Sequence, residues 1–117
     1  MWSLEFSADA DRDFELIFDH LVKSYLEFGE DHDVAFDHAI ERIRGIQVSA
    51  NKLTLAPKQG TLRPDILEGL RFVRLEKAVF WFVLDEGQKT VRVLAVFFGA
   101  QDHIRHMLVR LLDEQAL

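Results

Sequence analysis

The sequence predicts an α+β domain with an N-terminal strand and an antiparallel helical hairpin. A three-stranded antiparallel meander then joins the first strand in one sheet, and a C-terminal helix follows. Three observations carry this reading. Apolar residues keep helical spacing through residues 7–51, the spacing collapses into three apolar runs between residues 66 and 99, and it turns helical again from Ile104.

Trp2, Leu4 and Phe6 alternate with Ser3, Glu5 and Ser7, the period of a strand with one wet face. In SADADRDFELIFDHLVKSYLEFG, residues 7–29, Phe14, Ile17, Phe18, Leu21, Tyr25 and Phe28 follow helical spacing. Ser7 or Asp9 is the candidate N-cap and Gly29 the stop. EDHDVAFDHAIERIRGIQVSAN, residues 30–51, repeats the pattern with Phe36, Ala39, Ile40, Ile43 and Ile46 after a short polar turn, which predicts a hairpin of two helices. LAPKQGTLRPD, residues 55–65, holds both prolines and a glycine and reads as a loop. ILEGLRFVRLE (66–76), AVFWFVLD (78–85) and TVRVLAVFFG (90–99) are separated only by Glu76-Lys77 and Asp85-Glu86-Gly87-Gln88, so they read as consecutive antiparallel strands. Ile104, Met107, Leu108, Leu111 and Leu112 sit at i, i+3, i+4, i+7 and i+8, an amphipathic helix to the end of the chain.

Residues 1–117 form one domain, with half of the side chains apolar and no need of staples. Cysteine is absent, which excludes disulfides and thiolate metal sites. The first residues lack a basic flank and a cleavage site, and no apolar run reaches the ~18 residues of a membrane span, so a cytoplasmic protein without membrane contact is expected. Net charge is −6, which disfavours direct binding to DNA phosphates. The charge is uneven: residues 1–41 hold 12 acidic and 2 basic side chains, whereas residues 42–117 hold 8 and 12. Either each block solvates its own surface, or a basic face awaits an acidic partner.

Val79–Leu84 and Val93–Phe98 are apolar at nearly every position, so both faces of the sheet need cover. The hairpin covers one. The last helix, about three turns long, looks too short to hide the Phe and Trp rows on the other; either an uncovered aromatic surface recruits a partner, or the last helix folds back and closes the core.

Few residues suit chemistry. His103 and His106 can face one way beside Asp102, but no other ligand is tied to them, so no metal and no cofactor are expected. No serine has the setting of an activated nucleophile, and the glycines form no phosphate-cradling loop. Acid–base cleavage of RNA remains arguable, because it needs only a proton-transfer group and cations. Arg71, Arg74, His103, Arg105 and His106 supply these types, although the arginines equally fit a solvated sheet face or salt bridges. Asp102 suits the start of the last helix, whose polar side would carry His103, Arg105 and His106.

EGLRFVRLEKAVFWFVLD and VRVLAVFFGAQDHIRHML, in this order of elements, resemble the RelE/ParE superfamily of type II toxins, most closely the ParE (plasmid stabilisation) branch. Gly69-Leu70-Arg71 matches the approach to the second strand of the family, and Phe98-Gly99-Ala100-Gln101-Asp102 its strand-to-helix corner. The resemblance spans nearly the whole chain. It implies the toxin of a toxin–antitoxin pair, neutralised by a ParD-like antitoxin with an acidic C-terminal segment. The expected antitoxin contacts are Arg71, Arg74, Trp81, Phe82, Met107, Leu108 and Leu111.

Two activities occur in the superfamily. RelE-like members cleave mRNA on the ribosome with basic residues plus Tyr or His, whereas ParE-like members inhibit DNA gyrase without being enzymes. The acidic composition and the position of the only tyrosine, Tyr25 in the first helix, favour the second. Under the RNase alternative the catalytic set is Arg71, Arg74, His103 and His106. A non-toxic protein-binding module is the second alternative.

Overall fold

A computed structural model describes residues 1–99 and 102–115, with the backbone alone for Glu114 and Gln115. Ala100 and Gln101 of the expected strand-to-helix corner, and the last two residues of the expected helix, lie outside the described residues. The elements run β1 (Ser3–Phe6), α1 (Ala8–Glu27), α2 (His32–Ser49), α3 (Lys52–Leu55), β2 (Thr61–Leu62), β3 (Arg71–Leu75), β4 (Ala78–Asp85), β5 (Thr90–Phe98) and α4 (His103–Gln115).

Helix α1 starts where its sequence supplies a cap: the Ser7 hydroxyl accepts the Ala10 N–H at 3.1 Å. Its stripe of Ala10, Phe14, Ile17 and Leu21 is buried against the sheet. Phe28 ends the helix, and Gly29 takes the left-handed φ of 94° that lets the chain reverse into α2.

The sheet has the order β1-β5-β4-β3-β2. Strand β1 runs parallel to β5, from Ser3 opposite Thr90 to Phe6 opposite Val93, and every other neighbour is antiparallel. A bulge between β4 and β5 passes Leu94, so that Trp81 faces Ala95 and Phe82 faces Val93. On one face, Phe80, Phe82, Val93 and Val96 meet Phe14, Ile17, Leu21 and Ile46 of the hairpin. On the other, Val79, Trp81, Ala95 and Phe97 meet Met107 of α4 and Leu70.

The sequence reading needs three corrections. The segment 66–70 is a turn rather than strand, held by Leu70 N–H to Leu67 O and by Arg63 N–H to Leu70 O at 2.8 Å. It carries Ile66 and Leu70 beneath the sheet, where they join α4. The aromatic face therefore is not left open: Trp81, Phe82 and Met107 are fully buried, Phe82 on the hairpin side. Short α3 and two-residue β2 are additions that periodicity could not signal. Gly60, just before β2, brings its backbone so close to β3 that a Cβ there would lie 2.4 Å from Phe72 O.

Candidate functional site

Helix α4 begins at Asp102, whose carboxylate accepts the Arg105 N–H at 3.2 Å and whose carbonyl accepts the His106 N–H. The expected role of Asp102 as a helix start holds. The helix then buries Met107 and packs Ile104 and Leu111 against the sheet, leaving Leu108, Val109 and Leu112 exposed.

His103 does not ride the polar side of this helix. Its ring lies against Phe72, at 4.8 Å between centroids, and Trp81, at 5.5 Å. Its Nδ1 and the indole Nε1 of Trp81 are both buried with no hydrogen-bond partner. Burial pushes the His103 imidazole below its usual value, the Arg74 charge adds to this, Asp102 opposes it, and Arg63 lowers it further. The ring is therefore mainly neutral at pH 7. Arg63 is held in place by a two-pronged ion pair with Asp65, at 3.0 and 2.8 Å.

The other residues expected to act with His103 are elsewhere. Arg71 and Arg74 are three apart on β3 and so point to opposite faces. Arg71 shares its face with Val73 and Leu75, which pack on the hairpin core, and donates to Lys58 O at 2.8 Å. Arg74 lies on the face of Phe72 and donates to Gly99 O at 3.2 Å. His106 turns toward β5, with its ring 5.6 Å from that of Phe97, and lines a cleft between α4 and α1. The structure thus brings together Arg63, Arg74 and His103 and leaves Arg71 and His106 apart. Among the described residues, no three His, Asp or Glu side chains converge as metal ligands would.

Of the seven expected partner contacts, Leu108 is well exposed, and Arg71, Arg74 and Leu111 are partly or largely so. Trp81, Phe82 and Met107 offer no surface to a partner that meets this fold as it stands, because helices cover them on both sides of the sheet.

A second pair of residues escaped the sequence reading. Asp13 on α1 is 3 % exposed and meets Arg110 on α4 through two contacts of 2.7 Å. Strand β1 ends opposite Val93, so beyond that point the edge of β5 that faces away from β4 has no strand beside it. Asp13 accepts the Val96 N–H at 2.9 Å, and Ser7 Oγ and Arg110 donate to Leu94 O. The pair thus satisfies the open edge and ties α4 to α1. Position 13 lies within the apolar stripe of α1, and a charge there was the one visible signal.

No protein-family profile matches the sequence, and no curated protein matches it in sequence. Solved structures do match in fold. A chain of the chromosomal ParDE toxin–antitoxin system from P. aeruginosa superposes with TM-score 0.64 at 23% identity, over 85% of this chain and 97% of that one. The isolated RelE toxin of E. coli gives TM-score 0.52 at 10% identity, over 96% and 99%. A chain of the intact E. coli RelBE toxin–antitoxin complex gives 0.51 at 11%, over 86% and 99%. This chain has the fold of the RelE/ParE toxins.

Proposed function

We propose that this chain is the toxin of a type II toxin–antitoxin pair, held inactive by a ParD-like antitoxin and acting on DNA gyrase in the cytoplasm without catalysing a reaction. The observation that carries the second part is the dispersal of the residues an RNase would need. Arg71 and Arg74 leave β3 on opposite faces, and both are engaged by backbone carbonyls. His103 and His106 turn to different strands. The closer superposition on the ParDE chain than on RelE supports the same branch. Among the expected antitoxin contacts, Arg71, Arg74, Leu108 and Leu111 remain available to an acidic, partly apolar segment.

One observation favours the RNase reading. A neutral His103 beside Arg74 and Arg63 pairs a proton-transfer group with cations able to hold a phosphate. Induced expression in bacteria separates the two. The gyrase reading predicts DNA double-strand breaks and the SOS response while translation continues, unchanged by His103→Ala. Rapid translation arrest with cut mRNA and intact DNA, abolished by His103→Ala, would replace it with the RNase reading. No growth defect at all would point to the non-toxic binding module.

A further inference from the structure

Helix α1 carries a second apolar row beside the stripe that enters the core, and the fold covers that row only in part. Ala10, Phe14, Ile17 and Leu21 enter the core. Phe18, Val22 and Leu26, spaced at i, i+4 and i+8, flank that stripe on the side toward α2; Phe18 and Val22 still pack against the core, and all three stay partly accessible. Opposite them on α2, Phe36 is 46% and Ile40 38% exposed. The rings of Phe18 and Phe36 meet edge to face at 5.5 Å and form the floor of a groove between the helices. The groove opens into two adjoining hollows of about 390 and 410 Å³ that share Phe18 and Asp19.

The rim of this groove is acidic. Glu15, Asp19 and Glu27 border it, against the single cation Lys23. Among the described residues none of these three carboxylates is ion-paired, so their charge is uncompensated. From Glu15 to Glu27 the rim runs about 18 Å at the helical rise, the length of three turns of a partner helix. The excess of carboxylates repels nucleic acid, anionic lipid and the acidic segment expected of an antitoxin. An apolar floor with anionic edges complements one kind of ligand, a helix with a Leu-like stripe flanked by Lys or Arg.

We infer that the outer groove of the α1–α2 hairpin is a second docking surface, which takes a basic amphipathic helix of a protein partner. It lies on the hairpin layer, on the far side of the sheet from His103 and α4. The chain could therefore hold two protein partners at once.

Two 14-residue peptides with the same leucine stripe, one with a lysine polar face and one with a glutamate polar face, test this on the isotopically labelled full chain. The lysine peptide should bind one to one, weaken with added salt, and shift resonances centred on Phe18, Val22, Leu26 and Phe36. Phe36→Ser should weaken it roughly tenfold. The exposed double variant Asp19→Lys, Glu27→Lys, with its melting temperature checked against the wild type, should lose the lysine peptide and gain the glutamate one. The inference falls if neither peptide binds, if both bind alike, or if the shifts scatter over acidic residues outside the groove. It also falls if the groove resonances move with protein concentration alone, which would make a second copy the occupant.

Discussion

Helices of 20 and 18 residues cover the face of the sheet that carries Phe80 and Phe82, whereas the face with Trp81 and Phe97 has one helix of 13 residues and a turn. The first layer is held by apolar packing along two helices. The second depends on three apolar residues of α4, on Ile66 and Leu70, and on one long-range ion pair, Asp13 with Arg110. Arg63, Arg74 and His103, the residues that could carry chemistry together, lie in this thinner layer. The thicker layer instead presents a surface. A layer held by fewer apolar contacts opens at lower cost, so α4 should open before the hairpin does.

Substitutions can break this contrast. Phe80→Ala and Trp81→Ala each remove a fully buried ring and should cost about 3–5 kcal/mol in urea unfolding. Only Trp81→Ala should also release α4, read as faster amide exchange from Ile104 to Leu111; equal loss of protection in α1 would deny the independence of the layers. Arg110→Met leaves the Asp13 carboxylate buried and should cost about 3 kcal/mol. Adding Asp13→Leu should recover much of that, a coupling that a double-mutant cycle measures directly.

Smaller effects sharpen the picture. Ser7→Ala removes both the α1 cap and a donor to Leu94 O, and should lower stability by about 1 kcal/mol on chemical denaturation. His103 adds a pH dependence. Its folded value lies below its unfolded one, so the unfolded chain takes up the proton more readily and stability is lost as pH falls below about 6.5. The urea midpoint should therefore drop between pH 7 and pH 5, and His103→Phe should flatten that part of the slope.

The helices and the long strands were legible because their cores follow simple periods. Phe14, Ile17 and Leu21 mark one helix face, and the run from Ala78 to Asp85 could only be a strand buried on both sides. The parallel pairing of β1 was not legible, since alternation in Trp2–Phe6 says nothing of direction. Nor was the plug made by Ile66 and Leu70, because an apolar turn and a strand end look alike in sequence. At the site, His103 was visible as a residue type, but its burial follows from Phe72 and Trp81, which only the sheet register brings to it. Asp13 and Arg110 stand 97 residues apart, and no local pattern pairs them.

The central claim, inhibition of gyrase without catalysis, is tested most directly by adding the purified chain to gyrase, ATP and supercoiled plasmid. Linear DNA should accumulate only when gyrase is present, to the same extent with the wild type and with an Arg74→Ala, His103→Ala variant, and addition of the cognate antitoxin should abolish it. Unimpaired supercoiling at saturating protein, together with cleavage of ribosome-bound mRNA that the same variant lacks, would contradict the account.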